Sequence, residues 1–82
     1  MQEEYSTVAR RAILDMAKTF EDNKKIHQAV ITYKDLIQKV PESPEAKEAK
    51  EGLLRIAQSY QKEGAMHSAL VLYKYIGDIM HM

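Results

Sequence analysis

The sequence predicts an all-α fold in which four antiparallel helices form two stacked helix-turn-helix repeats, a short α-solenoid fragment spanning residues 1–82 as one domain. Three observations lead there. Apolar residues recur at three- and four-residue steps along most of the chain, and no stretch keeps the period of two that a strand requires. The segment "KIHQAVITYKDLI" (Lys25–Ile37) is echoed by "AMHSALVLYKYI" (Ala65–Ile76), with His27/His67, Ala29/Ala69, Tyr33/Tyr73 and Lys34/Lys74 each forty residues apart.

Helix one follows from Val8, Ala12, Ile13, Met16, Ala17 and Phe20, an amphipathic stripe that stops near Asp22 and Asn23. Helix two runs from Ile26 through Ala29, Val30, Tyr33, Leu36, Ile37 and Val40 to Pro41, whose ring cannot continue the hydrogen-bond ladder. In "VPESPEAK" Ser43 is a good N-cap and Pro44 suits the first helical turn, while Glu45 and Glu48 complement the helix dipole. Helix three is therefore expected over Pro44–Lys62. Gly64 in "KEGA" supplies a turn, and helix four follows from about Ala65 to Met80.

A shift of forty residues aligns Arg10–Glu42 with Lys50–Met82 without gaps, with further identities at Leu14/Leu54 and Ala17/Ala57. The two halves are copies of one unit, about 6–41 and 44–80. The small residues Ala17, Ala29, Ala57 and Ala69 let paired backbones approach closely, and Phe20, Tyr33, Tyr60 and Tyr73 fill the space beside them. In "ILDMAKTFEDNKKIHQAVITYKDLIQKVP" and "LLRIAQSYQKEGAMHSALVLYKYI" the chain resembles the tetratricopeptide repeat family, whose unit is a helix-turn-helix with large and small apolar residues at fixed offsets. It departs from that pattern at Lys24, where the family often has the turn glycine supplied here by Gly64, and at Ile13 and Leu53, which replace a common Trp. Its forty-residue spacing exceeds the usual thirty-four, the extra residues lengthening the third helix at "SPEAKEAK". The competing fold is a microtubule-interacting-and-trafficking-like domain, which has three helices.

Composition narrows the function. Of the residues 45% are hydrophobic and 29% charged, as in a globular domain, and a chain this short builds one core. Twelve basic residues balance twelve acidic ones, so no overall field draws the protein to nucleic acid or to an anionic membrane. No run of about eighteen apolar residues is present to insert in a bilayer. The absence of cysteine suits a reducing cytoplasm and excludes thiolate chemistry.

Little here points to catalysis. His27 and His67 are the natural ligand or proton-transfer candidates. Equivalent positions in stacked units lie roughly 10 Å apart by helix-packing distances, too far to share one ion, so they read as helix-start residues. No glycine-rich phosphate loop, acid pair with a neighbouring base or nucleophile elbow appears. A non-enzymatic protein without metal or cofactor is expected.

The resemblance implies a concave groove lined by the first helix of each unit, a site for a peptide or partner helix. By position it comprises Arg11, Leu14, Lys18 and Glu21 with Glu51, Leu54, Gln58 and Gln61. Leu14 and Leu54 stand where a clamp for a C-terminal carboxylate would need polar donors, so chaperone-tail binding is disfavoured. A second surface is read from helix four itself. Met66, Ala69, Leu70, Tyr73 and Ile76 form the face expected to pack inward, leaving Val71, Leu72, Tyr75 and Ile79 as a second apolar face for a partner or a following segment. The leading expectation is a protein-protein interaction module or scaffold. The alternative is a structural oligomerisation element, a homodimer formed through helix four.

Overall fold

In a computed structural model, which describes residues 6–80, the chain forms four helices: α1 (Thr7–Asp22), α2 (Ile26–Lys39), α3 (Pro44–Lys62) and α4 (Met66–Met80). Helix number distinguishes this fold from the three-helix alternative. Met82, the last residue of the repeat register, lies outside the described residues.

Local chemistry sets the boundaries. Ser6 Oγ accepts from Ala9 N–H at the start of α1, and Ser43 Oγ accepts from Ala46 N–H at the start of α3, where Pro44 occupies the first turn. The two helix-to-helix turns have the same hydrogen bonds forty residues apart. Lys25 N–H donates to Phe20 O and Ala65 N–H to Tyr60 O, each at 2.8 Å, and Lys24 N–H to Glu21 O and Gly64 N–H to Gln61 O, each at 3.1 Å. This 6→1 and 5→2 pairing is the Schellman arrangement, which requires a left-handed residue after the helix. Gly64 supplies it at φ 84° and Lys24 supplies it at φ 65°, so the backbone of the first turn keeps the conformation although the glycine is missing.

Each hairpin packs on itself, α1 on α2 and α3 on α4, and α3 also packs against both helices of the first hairpin. The core runs through Leu14, Ala17, Ala29, Tyr33, Leu36 and Ile37 into Ala46, Ala49, Leu53, Ile56 and Ala57, then to Leu72 and Ile76. The alanines at the helix contacts are buried, and Phe20, Tyr60 and Tyr73 pack at the edge of the same core. The result is a slab of 46 × 30 × 14 Å. No helix among the described residues is long and apolar enough to cross a membrane.

Helix α4 departs from expectation. Leu70, assigned to its inner face, is 67% exposed, as is Met66 at 57%, whereas Leu72 is buried and Tyr75 and Ile79 are half-buried against the core. Of the four residues read as an open outer face, only Val71 is exposed. The reason is that α4 has a neighbour on the side facing the first hairpin: Lys34 Nζ of α2 lies 4.5 Å from the centroid of the Tyr75 ring, a cation-π contact.

Candidate functional site

The groove residues of α1 do not form a free polar surface, because α3 ties them down. Arg11 and Lys18 donate to the two carboxylate oxygens of Glu48 at 3.0 and 3.1 Å. Glu21 accepts from Tyr33 OH at 2.6 Å and from Arg55 Nε and Nη2 at 3.1 and 3.0 Å. Leu14, expected to line the groove, is fully buried and belongs to the core, since α3 packs across that side of α1. Its counterpart Leu54 is 39% exposed, and Glu51, Gln58 and Gln61 beside it are exposed.

Electrostatics bind these residues further. Burial pushes the Glu21 carboxyl up, but hydrogen bonds from Arg55 and Tyr33 and the charges of Arg55 and Lys18 outweigh it, leaving the group below its ordinary value. Burial, and then the adjacent Glu21 carboxylate, push the Tyr33 hydroxyl up. Glu45 is buried against α1, where Arg10 Nε donates to it at 2.8 Å, and that hydrogen bond holds its carboxyl below the ordinary range. Hydrogen bonds from Lys18 and then Arg11 do the same for Glu48. Four cations of α1 and α3 and three carboxylates thus form a strap between the first helices of the two units.

Beyond the strap lies an open cleft of about 700 Å³ between the α2–α3 connection, α3 and α4. Leu54, Ile76 and Ile79 supply its apolar floor, with Pro41 and Pro44 at one end and Lys47, Lys50, Glu42 and Glu51 around it. It joins members of both expected surfaces: Glu51 and Leu54 of the groove and Ile79 of the last helix. His27 and His67 both line a smaller depression of about 330 Å³, lined also by Val30, Tyr60, Val71 and Leu72. No group of three or more His, Asp or Glu that could hold a metal ion occurs among the described residues.

The internal duplication explains why the cleft is where it is. In the first unit, Arg10, Arg11 and Leu14 are covered by the N-terminal half of α3, through Glu45 and Glu48. Their counterparts in the second unit are Lys50, Glu51 and Leu54, which line the cleft. The duplicated turns, the stacked hairpins and the covered first-unit edge describe a helical repeat. Residues 11–43 match the family model of the tetratricopeptide repeat.

Over that stretch the chain is similar to a tetratricopeptide repeat.

The α3/α4 hairpin repeats the turn geometry of α1/α2, so the described residues contain two helical hairpins of one design, compatible with two repeat units. Comparison with curated proteins and with solved structures gives no match. Tetratricopeptide repeats are in general protein-protein interaction modules and typically not catalytic. Sequence reasoning missed three features of this one: the buried Arg10–Glu45 pair, the seating of Gly52 on Tyr33, and the inward direction of Leu72 and Tyr75. The last carried a signal. Leu72 and Tyr75 replace Thr32 and Asp35 of the first unit, a change from polar to apolar at the side where the second unit has a neighbour and the first has none among the described residues.

Proposed function

We propose that this chain is an interaction module or scaffold that takes a partner α-helix along the α3–α4 edge, in the cleft floored by Leu54, Ile76 and Ile79 and continuing along Gln58 and Gln61. The observation that supports this reading is the first-unit edge, which already holds a helix: α3 lies there with its carboxylates on Arg10, Arg11 and Lys18. Lys50 and Lys47 offer a similar cationic reception at one end of the second-unit cleft, while Glu51 and Glu42 favour a partner that also carries a basic residue. The partner is thus an amphipathic helix of mixed charge, and the family-level picture of a peptide-binding groove is narrowed to its second-unit half. Val71 is exposed but lines the separate depression with His27, Val30 and Lys34 of α2, so it is not part of this cleft. Cytoplasmic residence is part of this proposal, resting on the cysteine-free composition.

The reading is tested by selecting displayed amphipathic helical peptides against the chain and mapping the bound peptide by amide chemical shifts. Shifts should concentrate at Lys50, Glu51, Leu54, Gln58, Ile76 and Ile79, and Leu54→Lys should weaken binding at least tenfold. Selected peptides that shift only α1 and α2 would remove the proposal.

A further inference from the structure

We propose that a second copy of this chain is an occupant of the α3–α4 edge, stacking head to tail through its α1 helix. The inference rests on the reading of that edge as a helix-binding surface and names the helix. Opposite ends of the slab expose the two halves of the interface that the repeat makes internally. On the receiving half, Leu14 and Tyr33 are fully buried beneath α3, and their counterparts are Leu54, 39% exposed, and Tyr73, half-buried. On the entering half, Ala49, Gly52 and Ile56 of α3 are buried against the first unit, and their counterparts on α1 are half-buried Ala9, exposed Ala12 and Met16, which is 51% exposed.

Chemistry in register supports the fit. Tyr33 accepts α3 because Gly52 leaves room for its ring; at that position α1 carries Ala12, whose added Cβ requires the Tyr73 ring to shift, and Tyr73 is only half-buried where Tyr33 is fully enclosed. Tyr33 OH donates to Glu21, which Arg55 then covers. In the second unit Tyr73 OH donates to Gln61 Oε1 at 2.8 Å, and the repeat register puts Asp15 of an incoming copy at the place of Arg55, an acceptor for the amide N–H₂ of Gln61. Lys34 lies over Tyr75, and the same register sets exposed Lys74 against Asp35 of the incoming copy, an opposite-charge pair. Such a contact is heterologous, so it propagates into an open chain or closes as a ring, and it does not stop at a two-fold dimer.

Sedimentation of the full chain, with two variants at exposed positions on opposite ends, decides the matter. The wild type should gain mass continuously with concentration, past the dimer. Ala12→Arg blocks the entering face, and Leu70→Glu, at the exposed counterpart of Val30, which packs against the core in the first unit, blocks the receiving edge, so each variant should sediment as a monomer with the helicity of the parent. Mixed one to one, they should form a heterodimer and nothing larger, because each retains one intact face. An Ala12→Arg chain that associates like the wild type would instead indicate a symmetric α4 contact and overturn the stacking. Should either variant lose helicity, Lys74→Glu and Asp35→Lys replace the pair: each alone should associate less than the wild type, and their mixture should recover it; no recovery overturns the stacking. A wild type that stays monomeric at millimolar concentration while selected helical peptides still shift Leu54 and Ile79 overturns self-stacking alone. A chain that does neither overturns the interaction reading as well.

Discussion

Gly52 lies in the middle of α3, where helix propensity alone would prefer alanine by about 1 kcal/mol. The Tyr33 ring forbids it: a Cβ at Gly52 would come within 2.7 and 2.8 Å of Tyr33 Cε2 and Cε1. Tyr33 has no room to retreat, since it is fully buried and its hydroxyl is held by Glu21. Sterics therefore win over propensity, and Gly52→Ala is expected to destabilise the fold by about 1–3 kcal/mol, the usual cost of overpacking. The denaturant midpoint checks this; a variant that melts above the parent would refute the close approach of α3 to Tyr33. The tyrosine was legible in the sequence as a core residue because it repeats at Tyr73 on the same helical stripe. The glycine was not, since its counterpart is Ala12 and its partner sits on another helix, at a distance in sequence that no local pattern encodes.

At the scale of elements, boundaries were the most legible feature. Ser43, Pro44 and Gly64 each act through the backbone within a few residues, so the start of α3 and the turn before α4 follow from local chemistry. The pairing of α1 with α3 was hidden, because ion pairs join residues thirty or more positions apart and charged stripes look alike whether they face water or another helix. That strap makes the contact between units sensitive to acid. Glu21, Glu45 and Glu48 all have folded-state carboxyls held below the ordinary value of 4.5. As pH falls through that value the unfolded chain takes up protons before the folded one does, so the stabilisation is present above it and is lost as pH drops toward the folded-state values. Urea midpoints measured from pH 6 down to pH 3, on the order of one unit either side of the carboxylate range, should fall, and the fall should be shallower in a chain carrying Glu21→Gln, Glu45→Gln and Glu48→Gln. A triple variant with a parent-like acid slope would show that other carboxylates govern it.

For the whole molecule, the order of burial predicts the order of opening. Repeat proteins draw stability from each unit and from the interfaces between neighbours, so the element with neighbours on most sides opens last. Here that element is α3, which packs against α1, α2 and α4 and buries Ala46, Ala49, Leu53, Ile56 and Ala57. Helix α4 has α3 on one side and the edge of α2 on another, and leaves Leu70 and Val71 to solvent. Helix α1 likewise leaves Val8 and Met16 exposed. The repeat made the two hairpins visible in the sequence, but not the asymmetry between them, since identical positions become buried or bare according to which side carries a neighbour. Native-state hydrogen exchange, run at a concentration where the chain is monomeric, should find the slowest amides in α3, around Leu53 to Ala57. Those of α4 near Leu70 and those at the start of α1 should exchange faster, through openings that release one terminal helix at a time. Should chains stack end to end at higher concentration, protection in α4 and α1 should rise together, with a smaller gain in α3, whose amides are already the slowest. Uniform protection across all four helices would mean that the chain opens as one unit, with the α2–α3 contact strong enough to couple both hairpins.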